Sequence, residues 1–134
     1  MVTNRLVNSR YTLSKEERLS WKRYIDLLFA KGQSFVAFPL RVVYLSVEKE
    51  ETLAPVSILI SVPKKKFRRA VKRNLIKRQV REAYRVRKYD LIDPLTGKNK
   101  CMLVAFLYLD KEIHSFADME KAMTKALNIL RDKA

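Results

Sequence analysis

Apolar positions along this chain keep two different rhythms, and each rhythm names an element. Trp21, Tyr24, Ile25, Leu28 and Phe29 recur at helical spacing and share one side of a helix. Ser14-Lys15-Glu16-Glu17 has the capping-box pattern ahead of them, and Gly32 is a fitting stop. The first helix is predicted over about 15–31. Leu40 to Val47 is rich in β-branched residues and predicts a strand, with Pro39 at its start or at an edge position. After the polar turn at 48–52, Val56, Ile58, Ile60 and Val62 alternate with Ser57, Leu59 and Ser61, which predicts a second strand. The two strands are expected to form an antiparallel pair.

Pro63 ends the second strand, Lys64-Lys65-Lys66 forms a basic loop, and a helix is predicted from about Phe67 to Lys88. Asp90 to Asn99 contains Pro94 and Gly97 and reads as a loop. Cys101 to Tyr108 is an apolar run, a candidate central strand. Ser115 can cap a last helix whose Met119, Ala122, Met123, Ala126, Leu127 and Leu130 share one face, with Phe116 near the same stripe. The element order is α-β-β-α-β-α, an α/β (α+β) sandwich with helices packed on a small sheet. The strands near 56–62 and 101–108 are joined by a helix and can run parallel, with a right-handed crossover as the default.

The chain has 134 residues, which fits a single domain over 1–134 with an ordered core of about 14–131. Such a domain buries roughly two thirds of the surface its unfolded chain exposes, so it needs no disulfide. The single cysteine, Cys101, lies in an apolar run and reads as a core residue. The first residues lack the apolar stretch of a secretion signal, and no run approaches the ~20 apolar residues of a membrane span. A cytoplasmic protein without a membrane partner is expected.

Charge changes the picture. Lysine and arginine number 29 against 14 acids, a net charge of +15. From Lys64 to Lys88 there are 13 basic residues and one acid, Glu82, so this segment holds +12 and the rest of the chain only +3. Charge this concentrated marks a polyanion-binding surface rather than an ordinary solvated helix face, which mixes signs. At 100° per residue, Ile76, Val80, Ala83 and Tyr84 fall within an arc of about 100°, the width of a core-facing stripe. Arg73, Lys77, Arg81 and Arg85 climb an adjacent face at intervals of four, with Asn74 and Arg78 on the same broad side. Glu82, four residues from Arg78, is placed to relieve some of the repulsion. Val71 and Leu75 stand apart from the core stripe and suggest a second contact surface.

Residues for protein-borne catalysis are sparse. His114 is the one histidine, and no Cys/His cluster with zinc spacing exists. Asp90 with Asp93, and Asp110 with Glu112, are paired carboxylates of the kind that can hold magnesium, but both pairs fall in predicted loops outside any nuclease motif. No catalytic or metal-binding residue is assigned.

The order of residues narrows the polyanion. The segment from Ser61-Val62-Pro63-Lys64-Lys65-Lys66 through Ala70-Val71, Arg73-Asn74, Lys77-Arg78 and Arg81-Glu82 to Arg85 closely resembles the signature of the bacterial ribonuclease P protein subunit family. More weakly, Phe29-Ala30-Lys31-Gly32, Pro39-Leu40-Arg41, the strand at 101–108 and the closing helix follow the family's order. Leu75 departs from it, since the family often has a second arginine there, and Ile25 stands where some relatives carry an aromatic. The resemblance implies a left-handed βαβ crossover, in place of the default. It implies as partners the catalytic ribonuclease P RNA and precursor tRNA, whose 5′ leader the ribonucleoprotein endonuclease removes. No obligate protein partner is inferred. The cofactors implied are that RNA and magnesium ions held mainly by it. On this resemblance Lys64, Lys65, Lys66, Arg68, Arg69, Lys72, Arg73, Asn74, Lys77, Arg78, Arg81 and Arg85 face the RNA, and Phe29, Arg41 and Tyr44 line a cleft for the leader. A ribosome-associated RNA-binding protein and a stand-alone nuclease are the competing classes.

Overall fold

Every residue from Cys101 to Phe106 is buried, and this decides the sheet. A strand apolar on both faces takes a central slot, where both edges are bonded and both faces covered. In the computed structural model, which describes residues 13–50 and 53–133, that strand is β4 (Lys100–Tyr108). It lies between β2 (Leu40–Glu48) and β3 (Val56–Ser61), antiparallel to β2 and parallel to β3. β1 (Gln33–Ala37) adds the outer edge, antiparallel to β2, giving the order β1-β2-β4-β3. The expected antiparallel pairing of the second and third of these strands is therefore corrected: β4 separates them. β3, with Ser61 exposed and Leu59 and Ile60 half-buried, goes to the edge instead.

Side chains alternate across the sheet and build a core on each face. Val42, Tyr44, Ile58, Val104 and Phe106 point to the larger one. It is closed by α2 (Ala70–Arg87), α3 (Tyr89–Leu95) and α4 (Phe116–Lys133). Val43, Leu103 and Ala105 point to the smaller one, covered by Leu19 and by Tyr24 and Leu28 of α1 (Lys22–Lys31). All six residues of the predicted last-helix stripe are buried, and Ser115 Oγ accepts the Asp118 amide 3.2 Å away as the expected cap.

Three elements differ from expectation. The capping-box residues close a turn rather than a helix: Ser14 donates from its hydroxyl to Glu17 Oε1 at 3.1 Å, and α1 begins only at Lys22. Between them the chain runs along the free edge of β3, where Ile58 N–H donates to Glu17 O and Leu19 N–H to Ile58 O, each at 2.7 Å. Strand-edge groups satisfy this backbone in place of a helical turn, and the strap in turn covers an edge open to unwanted pairing. β1, not foreseen, forms a hairpin with β2 across the cis Phe38–Pro39 bond. The predicted loop at 90–99 contains α3, because Leu91, Ile92 and Leu95 all reach the core and outweigh Pro94. Gly32 does stop α1, through close approach: a Cβ there would collide with the Leu28 carbonyl and meet Val43 Cγ1 at 3.0 Å.

Candidate nucleic-acid interface

α2 buries Ile76, Val80, Ala83 and Tyr84 completely, the four residues its periodicity selects. Burying such side chains contributes about 1.5–3 kcal/mol for each large aliphatic one. The opposite side is solvent-facing. Lys72, Asn74, Arg78 and Arg81 are exposed and Lys77 is half-buried. No acid lies within ion-pair distance of Lys72, Lys77, Arg78 or Arg81 among the described residues. Lys64 and Lys65 in the turn before the helix, and Arg68 and Arg69 at its entry, are exposed as well. α2 starts with no side-chain cap at Arg69 and no acid in its first turn. The positive end of its dipole therefore adds to the cations around it.

Some of the predicted contact residues have structural work. Arg73 donates from Nη1 to the carbonyls of Phe67 (2.7 Å) and Arg68 (2.9 Å), tying the basic loop to the helix. Its angular position at the margin of the buried stripe sends it there. Lys66 bonds the carbonyl of Leu109. Glu82 relieves Arg85, not Arg78: Nε–Oε2 is 3.0 Å and Nη2–Oε1 2.5 Å. That bidentate bond holds the Glu82 carboxyl below its usual range and raises the Arg85 guanidinium. Lys88, counted in the basic run, is buried and paired with Glu17 of the strap at 2.8 Å, and Arg87 pairs with Glu120 at 2.9 Å. The outward cationic face is thus narrower than the charge count. Val71 and Leu75 lie beside it, 79% and 41% exposed, outside the buried stripe as their angular positions require.

The three cleft residues do not come together. Phe29 on α1 is half-exposed, and Arg41 is exposed on the same side of the sheet, its Nη2 3.4 Å from Ser34 Oγ. Tyr44 belongs to the opposite core. It packs on Phe35 with ring centroids 5.9 Å apart and donates its hydroxyl to Gln33 Oε1 at 2.9 Å. An even-numbered position on β2 faces the other way from Arg41, so placement in one cleft with Phe29 is corrected on geometry. What the sheet offers on the α1 side is a cross-strand row of Val36, Arg41, Leu107 and Ser61, one residue from each strand. Val36 and Ser61 are exposed and Leu107 is half-buried. Periodicity within one strand cannot reveal this row, because it depends on the register of all four.

His114 is anchored rather than free. Nε2 lies 2.6 Å from Asp110 Oδ2 and Nδ1 3.4 Å from Asp118 Oδ2, with the ring edge-on to Phe38. The hydrogen bond to Asp110 raises the imidazole pKa and lowers that of the carboxyl. Among the described residues no group of three or more His, Cys, Asp or Glu side chains converges to hold a metal ion. No helix among them is long and apolar enough to cross a membrane.

A small α/β sandwich with one helix turning a nearly all-cationic face outward defines a class, the basic α/β proteins whose charge is gathered on one surface. The family model described as Ribonuclease P matches residues 13–131, and the chain belongs to that family. It is 46% identical over 117 residues to the ribonuclease P protein component of Porphyromonas gingivalis strain W83, covering 87% of this chain and 85% of the relative. It is 37% identical over 73 residues to the ribonuclease P protein component of a Picosynechococcus species, 54% of this chain and 60% of that one. The RNase P protein of Staphylococcus aureus superposes with a TM-score of 0.63 at 23% identity, over 86% of this chain and 95% of that one. That of Thermotoga maritima gives 0.60 at 24% identity, over 87% and 96%. The fold is shared with both.

Proposed function

We propose that this chain is the protein subunit of ribonuclease P, docking on the catalytic RNA through α2 and assisting removal of the 5′ leader from precursor tRNA in the cytoplasm. The observation that carries this reading is the division of α2 into a fully buried stripe and an outward face of cations that pair with no acid among the described residues. A face of Lys72, Lys77, Arg78 and Arg81, extended by Lys64, Lys65, Arg68 and Arg69, neutralises phosphates at fixed spacing. Arginine adds bidentate geometry and Asn74 a donor and acceptor for a base edge or ribose hydroxyl. Arg73, Lys66 and Arg85 hold the loop and helix in shape while adding their charge.

On the other side, Phe29 with the row Val36, Arg41, Leu107 and Ser61 forms an open floor for single-stranded leader. An aromatic ring stacks on a base and Arg41 takes a phosphate. The chemistry is assigned to the RNA and the magnesium it holds. The protein lowers the electrostatic cost of bringing two polyanions together, which matters most when magnesium is scarce.

Reconstitution with the ribonuclease P RNA of the same genome tests the reading. At low magnesium the protein accelerates leader removal, and purified protein free of RNA does not cleave. Absence of enhancement at low magnesium would sink the proposal.

A further inference from the structure

A cavity of about 200 Å³ opens where the strap ahead of α1, the free edge of β3 and the flank of α2 meet. Arg18 of the strap and Lys77 and Arg81 of α2 line it, against an apolar wall that includes Leu19 and Leu59. No carboxylate lines it among the described residues, and none of the three cations has a side-chain hydrogen bond or ion pair there. Ile60 also lines it. By the two-residue alternation of a strand, its N–H points to the same edge as that of Ile58, which the strap already binds. Three cations from two separate elements, brought around one small space without an acid, repel one another unless an anion joins them.

We propose that this cavity seats a backbone phosphate of the RNA, with Arg18 as a contact residue outside the basic helix. The inference rests on the reading of α2 as the RNA-docking face. The two guanidinium groups and the ammonium supply donors for both non-bridging oxygens, and the apolar wall suits the C–H face of a ribose. Arg18 thereby couples the strap, and the β3 edge it covers, to the RNA-bound state.

Two measurements test it. In the first, Arg18→Gln is compared with Arg131→Gln, an equal loss of charge on the outer surface of α4, in binding to the ribonuclease P RNA across a salt series. Circular dichroism and thermal melting check that both variants are folded. Arg18→Gln is expected to weaken binding about tenfold and to make the slope of log affinity against log salt shallower by about one. Arg131→Gln changes neither. If wild type binds steeply and the two variants coincide, the cavity assignment is overturned while the docking reading stands. If wild type fails to bind, both fall. In the second, wild-type protein is titrated with inorganic phosphate by NMR. A shift of the Ile60 amide at low millimolar phosphate supports the site, and shifts confined to other parts of α2 overturn it.

Discussion

α2 and α4 are helices of 18 residues each, packed against the same face of the same sheet. Their inner sides solve one problem in one way, with stripes that are buried along their whole length. Their outer sides diverge. α4 mixes Asp118, Glu120 and Asp132 with Lys121, Lys125, Arg131 and Lys133, whereas α2 sets seven basic residues against Glu82 alone. Mixed signs are what solubility asks of an outer face. A face with one sign stores repulsion, a few tenths of a kcal/mol per neighbouring pair, that only a partner removes. The contrast separates burial, common to both helices, from the outward charge that belongs to α2.

The largest effects should fail to distinguish the helices. Ile76→Ala in α2 and Leu127→Ala in α4 both empty fully buried sites and are each expected to cost about 2–5 kcal/mol in denaturant unfolding. A loss well under 1 kcal/mol for either would show that its stripe is not a core contact. The comparison sharpens with charge. The triple variant Lys77→Ala, Arg78→Ala, Arg81→Ala is expected to lose about 10²-fold or more in RNA affinity near 150 mM salt with its fold retained. Lys121→Ala, Lys125→Ala, Arg131→Ala in α4 is expected to lose little. Filter-binding isotherms decide, and equal losses would break the contrast. If about six phosphates are neutralised, wild-type affinity falls about 10³-fold between 50 and 200 mM salt.

Arg73 sits between the two classes. Arg73→Ala removes both hydrogen bonds to the loop carbonyls and is expected to cost about 1–2 kcal/mol of stability in addition to RNA affinity. Thermal melts of the free protein detect this, whereas a purely RNA-facing arginine would leave them unchanged. The smallest effect concerns His114. Its pKa is raised in the fold, so its stabilisation is full below the unfolded value near 6.5 and fades as pH rises through the folded value. Asp110, with its pKa lowered, acts in the opposite sense: its part is present above the usual carboxylate range and fades in acid. His114→Asn is expected to lower the melting temperature most between the usual carboxylate range and the unfolded histidine value, where both partners are charged, and least at alkaline pH. A difference independent of pH would rule out the ion pair.

The sequence was most legible where one short segment carries its own reason. The α2 and α4 stripes, the concentration of cations and the family signature are all local patterns, each set by spacing along one chain segment, and so is the alternation of β3. Where satisfaction of the backbone or a face of the sheet was at stake, local pattern misled. The Ser14–Glu17 motif has the residues of a helix start, yet the next residues found a strand edge. Pro94 and Gly97 signal a loop, yet Leu91, Ile92 and Leu95 found a core to fill. Tyr44 and Arg41 are both on β2, and only pairing tells which core each side of that strand faces.

By itself, then, the sequence determined the kind of protein this is: a basic α/β protein with one helix split between a core stripe and a cationic face, carrying a recognisable family signature. Tertiary structure decided which cations remain outward and which are absorbed by Glu17, Glu120, Glu82 or a loop carbonyl. It also decided the insertion of β4 between β2 and β3, the row across the sheet, and the meeting of Arg18 with Lys77 and Arg81. The physical reason is range. Helical and strand periods are written in adjacent residues, whereas ion pairs and sheet register join positions as far apart as Glu17 and Lys88, and nothing in either neighbourhood names the other.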